Sequence, residues 1–102
     1  MDGETETRAK VFKALSDPKR LAILDLLREG ELCACVIMER MGMGQSAVSY
    51  HMKSLCDAGL VTPRQAGKWT HYRICPAGME RAAGWLQDLA QEGEDHVGCC
   101  AE

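Results

Sequence analysis

The residues best suited to chemistry are the thiols, and two of them stand one residue apart, Cys33 and Cys35 in "ELCACVIMER". The other four of the six cysteines are Cys56, Cys75 and the adjacent Cys99 and Cys100. Thiolates are soft ligands that choose thiophilic centres over hard cations. Cys33 and Cys35 fall at the start of an expected helix, about Leu32 to Met41, where free backbone N–H groups and the helix dipole favour the ionised thiol. Successive residues of a regular helix turn by about 100°, which sends these two side chains roughly 200° apart. Joint capture of one small ion is therefore expected to unwind the first helical turn. Burial as a small hydrophobe is the usual fate of a free cysteine, and it accounts for one of the pair but not both, since one must leave the core face.

The elements that must position these thiols follow from period and punctuation. Val11, Phe12 and Leu15 share a face of a first helix, and Asp17-Pro18 ends it while opening a second, with Asp as N-cap and Pro at the first helical position. Leu21, Ile23, Leu24 and Leu27 give the second helix a broad apolar stripe, closed by Gly30. The third helix carries Val36 and Ile37 inward and stops at Gly42; a fourth, Gln45 to Asp57, repeats Val48, Met52 and Leu55 at i, i+4 and i+7. Two short helices joined by the Gly-containing turn "GMG" match a helix-turn-helix plan. The period then falls to two: "LVTPRQ" and "WTHYRIC" around "AGK" read as a β-hairpin, with Pro63 tolerable only on an edge strand. A fifth helix, about Ala77 to Glu92, follows Pro76, and its Ala82, Ala83 and Gly84 make a surface small enough for close helix contact.

The expected fold is thus mainly α with a small β-hairpin: about five helices and a two-stranded wing, a winged helix-turn-helix. Residues 1–92 would form this DNA-binding and dimerisation domain, and 93–102 a mobile tail carrying Cys99 and Cys100. The opening "MDGETETRAK" has neither the basic nor the apolar region of a signal peptide, and no apolar run approaches the ~20 residues that span a bilayer. A cytoplasmic protein with free thiols, no membrane partner and no disulfide scaffold is expected.

Charge is distributed unevenly. The formal net charge is -3, yet residues 44–75 hold four Lys and Arg against one acidic residue, while 76–102 hold one against six. A basic island in an acidic chain is the footprint of one face that meets phosphate. The outer face of the fourth helix offers Gln45, Ser46, Ser49, Tyr50 and Lys53, groups that bond base edges and phosphates in a major groove. Arg64 and Lys68 on the hairpin are assigned to phosphate. Polar outer faces are the norm for surface helices, and only the hairpin that follows turns this one into an interface.

Four stretches, "SDPKRLAILDLL", "ELCACVI", "QSAVSYHMKSLCDAGLV" and "RQAGKWTHYRICP", together resemble the ArsR/SmtB family of metal-responsive winged-helix repressors, over about residues 8–90. The resemblance implies a homodimer paired through its first and last helices, here Val11, Phe12, Leu15, Leu86 and Leu89. It implies pseudo-palindromic double-stranded operator DNA that is released when an inducer binds. Gly44 departs from the Ser or Thr cap that similar members often carry. In the subgroup it resembles, "ELCxC" marks arsenical sensing, which makes Cys33 and Cys35 ligands of arsenite or antimonite. A third cysteine of that subgroup falls at Met38 here; Cys99 and Cys100 are further candidates.

The last helix offers only Glu80, Asp88 and Glu92, without histidine, so no zinc or nickel site and no organic cofactor is expected. Two other readings compete. The same repressor would answer oxidants or persulfides through disulfides of Cys33 or Cys35 with Cys99 or Cys100. A small thiol enzyme would need a CxxC motif, a βαβ pattern or a base beside a thiol, and the sequence shows none; no catalytic residue is assigned.

Overall fold

The computed structural model describes residues 3–91. The chain runs α1 (Gly3–Leu15), α2 (Pro18–Leu27), β1 (Leu32–Cys33), α3 (Ala34–Met41), α4 (Gln45–Asp57), β2 (Val61–Ala66), β3 (Trp69–Ile74) and α5 (Pro76–Ala90). The local signals explain most boundaries. Asp17 caps α2 by accepting from the Lys19 and Arg20 N–H groups at 2.8 and 3.4 Å, which holds its carboxyl below the ordinary carboxylate range. Gly42 closes α3 in the left-handed region (φ 66°), and the Met43 N–H returns to the Met38 carbonyl at 3.1 Å. That closing bond makes the tight turn into α4.

Ile23, Leu24 and Leu27 of α2, Ile37 of α3, Val48, Met52 and Leu55 of α4, and Leu60 and Val61 fill one core with Val11, Ala14 and Ala82. Val11, 5% exposed, is therefore a core residue of the single chain, where the sequence suggests an interface residue: its register on α1 puts it on the buried side of that helix with Ala14. On α5 the close contacts are made by Gly78 and Ala82, whereas Ala83 is exposed. Gly78 is obligatory: a Cβ there would sit 1.9 Å from the Gly59 carbonyl oxygen. α5 thus presses directly on the joint between α4 and β2.

The sheet has three strands, in the order β1-β3-β2, rather than the two of the expected wing. Leu32 pairs with Tyr72 and Cys33 with His71, antiparallel, so the thiol-bearing segment is itself part of the wing sheet. Two residues are too few to show a period, which is why the sequence reads them as the start of a helix. β2 is an edge strand, as Pro63 requires. Among the described residues no helix is long and apolar enough to cross a membrane.

Candidate thiol site and nucleic-acid interface

The thiol site is built where strand becomes helix. Cys33 is extended (φ -67°, ψ 145°) and serves as the N-cap of α3, its sulfur accepting from the Cys35 N–H at 3.2 Å. A cap side chain folds back over the first turn, and here that brings Cys33 Sγ onto Cys35 Sγ. The two are joined as a disulfide with Cα atoms 5.2 Å apart. This corrects two expectations. The thiols are not both free, and the sulfurs do not diverge along a helix that must unwind: the helix begins at Ala34, one residue after the first thiol, so the pair already converges.

The other sulfur positions divide. Met38 packs against the core, as does Cys56, whose thiol burial and the neighbouring Asp57 push up. Cys75 is half-buried at the start of α5. Among the described residues no three His, Cys, Asp or Glu side chains gather into a metal-holding group. Cys99 and Cys100, and the tail boundary expected at residue 92, lie outside the described residues.

Side chains alternate across a strand, and residues opposite one another in register share a face. Cys33, His71 and Arg64 therefore stand in one row on the outer face of the sheet. His71 thus lies across the ladder from Cys33, whose sulfur is taken up in the disulfide with Cys35, a juxtaposition not read from the sequence. On the same side the Arg64 guanidinium forks onto Glu31, Nε to Oε2 at 2.9 Å and Nη2 to Oε1 at 2.7 Å. The Arg64 hydrogen bond holds the Glu31 carboxyl below its ordinary range, with the charges of Arg64, His71 and Arg73 adding to it. The opposite face of the hairpin, through Pro63, Gln65, Thr70 and Tyr72, looks onto Ser49, Met52, Lys53 and Cys56 of α4.

The expected reading face is presented as the period requires. Gln45, Ser46, Ser49, Tyr50 and Lys53 are exposed on α4, over a buried underside of Val48, His51, Met52 and Leu55. Lys53 leans on Asp57 at 3.1 Å, an exposed i,i+4 pair that phosphate can displace. Lys68 is exposed at the hairpin turn, and Gly44 caps α4 without a side-chain bond.

Beneath that face lies a polar lock missed in the sequence. Arg20, buried, donates Nε–H to the Ala14 carbonyl at 2.8 Å, and its Nη1 lies 3.2 Å from Nδ1 of the buried His51. A guanidinium only donates, so His51 accepts through Nδ1 and carries its proton on Nε2. The lock ties α1, α2 and α4 together. Arg20 and His51 are 31 residues apart, and only the Arg within "SDPKR" hinted at it.

The pattern of the "Bacterial regulatory protein, arsR family" matches residues 17–62, from the α2 cap through both thiols and α4. The chain is 52% identical over 64 residues to the arsenical resistance operon repressor of Staphylococcus xylosus, covering 63% of this chain and 62% of that protein. The match thus spans less than two thirds of that repressor's length. An uncharacterized HTH-type transcriptional regulator of Methanocaldococcus jannaschii is 43% identical over 70 residues, 68% of this chain and 79% of that one. The homodimeric winged helix-turn-helix DNA-binding domain of a possible ArsR-family regulator from Mycobacterium bovis superposes with a TM-score of 0.70 at 35% identity, covering 84% of this chain and 80% of that domain.

Proposed function

The chain belongs to the arsR family of bacterial regulatory proteins, and from that premise we propose that it is a cytoplasmic homodimeric repressor that releases operator DNA when Cys33 and Cys35 capture trivalent arsenic or antimony. The observation that carries this reading is the convergence of the two sulfurs at the strand–helix junction. Once a cellular dithiol has reduced the disulfide, taking up its S–S bond as its own, two soft donors side by side suit a thiophilic centre, and the α3 N-terminus favours their ionised form. Gln45, Ser46, Ser49, Tyr50 and Lys53 enter the major groove, and Lys68 and Arg64 reach the backbone. Leu86 and Leu89 are exposed on α5, 56% and 76%, and with the Phe12 side of α1 they supply an apolar face for a second copy. Pairing doubles the basic island and sets two recognition helices about one DNA turn apart, ~34 Å.

The test is a gel shift on the DNA upstream of the protein's own coding sequence, titrated with arsenite, antimonite, cadmium and zinc. Arsenite and antimonite release the duplex from the wild type. Cys33→Ser with Cys35→Ser keeps operator affinity and no longer lets go. Release by arsenite from that double variant would overturn the reading.

One observation favours a second reading. The disulfide joins Cys33 to Cys35 rather than either to the tail, so an organic hydroperoxide could oxidise the pair directly. The two thiols would give up two protons and two electrons, and the peroxide would be reduced to an alcohol and water. Release by peroxide, reversed by a dithiol reductant, supports this reading; unchanged operator affinity of the oxidised protein refutes it.

A further inference from the structure

Arg64 is assigned to phosphate, yet it is held by a carboxylate on the segment that carries the thiols. Glu31 immediately precedes β1, and β1 runs through Leu32 into Cys33. Arg64 belongs to β2, on the far side of the central strand. Its side chain therefore crosses over β3 and closes a bidentate pair with Glu31 at 2.9 and 2.7 Å. The pair straps the two outer strands together above the row Cys33, His71, Arg64.

We propose that Glu31 is the residue through which the thiol site governs DNA affinity: it competes with a DNA backbone phosphate for Arg64, and an ion bridging Cys33 and Cys35 favours the state in which Glu31 wins. The inference rests on the function proposed above and supplies its route. A guanidinium neutralised by a carboxylate brings no net charge to DNA and releases no counterion, whereas a free one does both. The same fork fits either oxyanion, so the exchange preserves hydrogen bonds and moves only charge. When Arg64 leaves, Arg73 and His71 remain beside the carboxylate, so Glu31 is not stranded.

Coupling follows from connectivity. Cys33 is at once the last residue of β1, a ladder partner of His71 and the cap of α3. Bridging its sulfur to that of Cys35 fixes the junction between β1 and α3, and Glu31, two residues upstream on the strand that Cys33 ladders to β3, is held in the same register. An effector shifts an equilibrium only by its preference for one state; here the preferred state is the strapped sheet. The wing, rather than an unwound α3, is then the element that responds.

The experiment measures anisotropy of a labelled duplex from the protein's own upstream region with wild type, Glu31→Gln, Arg64→Gln and the double variant, across a salt series, with and without arsenite. Without arsenite, Glu31→Gln binds about fivefold tighter, as loss of two exposed ion pairs per dimer allows. Its log–log salt dependence steepens, by at most about 1.8, the limit of one phosphate contact per protomer that the wild type makes only in part. Arg64→Gln binds more weakly, and on that background Glu31→Gln changes nothing. Arsenite, followed independently by the ultraviolet absorbance of sulfur–arsenic bonds, binds Glu31→Gln normally but releases at least tenfold less DNA. Unchanged affinity and unchanged release in Glu31→Gln, or an effect of Glu31→Gln that persists without Arg64, would overturn the proposal. If wild type ignores arsenite, the parent reading fails, and the arsenite-free affinities still decide whether the strap acts on DNA.

Discussion

The helix proposed to read DNA, α4, and the thiol segment are neighbours in the chain, and they are held in opposite ways. α4 is anchored along its underside by Val48, Met52 and Leu55, each at most 2% exposed, and by the buried Arg20–His51 lock. The thiol segment, Leu32 to Val36, is half-buried throughout and, apart from its own Cys33–Cys35 disulfide, is held to the rest of the fold by two ladder pairs, one sulfur cap and the strap from Glu31 to Arg64. Burial makes the first stiff: several large side chains must be uncovered before it moves. The second rests on exposed or half-exposed contacts, the low-stability end of a fold from which moving elements are drawn. The surface proposed to read DNA is therefore built on rigid packing, and the proposed sensor on contacts a ligand can outbid.

The heaviest blow to the stiff region falls outside α4. Replacing Gly78 with Ala places a Cβ 1.9 Å from the Gly59 carbonyl oxygen and 2.9 Å from the Gly59 carbonyl carbon, both backbone atoms at the α4–β2 joint. Gly to Ala inside a helix ordinarily stabilises by about 1 kcal/mol. Here the overpacking reverses the sign, and a net loss of about 3 kcal/mol is expected. Thermal melting followed by circular dichroism should fall by roughly 15 °C for a chain of this size. A melting point at or above that of the wild type would show that the joint can yield, and that the recognition helix is less firmly seated than its burial implies.

Arg20→Met removes the lock while keeping an unbranched side chain. It leaves the Ala14 carbonyl and His51 Nδ1 without their donor, and the expected cost is about 2 kcal/mol. Adding His51→Leu removes one of the stranded groups, so the double variant should lose less than the sum of the two single losses. Additive losses in urea denaturation would mean that the two side chains act separately and that α4 is held by its apolar underside alone.

The contrast also explains what could be read in the sequence. α2 and α4 announce themselves because their signals are local: the Asp17-Pro18 cap, the repeat of Val48, Met52 and Leu55, and the Gly42 stop all lie within a few turns. The exposed set from Gln45 to Lys53 follows from the same period. The thiol segment is legible in residue type but not in geometry. Whether Cys33 lies inside the helix or caps it depends on a ladder with Tyr72 and His71 some forty positions away, and no local pattern encodes that. Glu31 and Arg64, 33 residues apart, pass for ordinary surface charges until the sheet places them together. Val11 shows the converse error: an apolar position on the expected dimer helix proves to belong to the core of its own chain.

The smallest expected effect sharpens the comparison most. Cys33→Ser replaces a sulfur cap with a hydroxyl, and Ser is among the preferred N-cap residues, so the bond from the Cys35 N–H is retained or improved. Under reducing conditions the stability should change by no more than about 0.5 kcal/mol, within about 4 °C of the wild-type melting point. On the proposed reading the same substitution nonetheless removes half of the ligand pair and with it the response to arsenite. A site whose loss is silent in folding and complete in signalling is what a sensor mounted on the yielding part of a fold should show. A large drop in stability for Cys33→Ser would instead make the thiol pair a structural staple and place it with α4 among the parts that do not move.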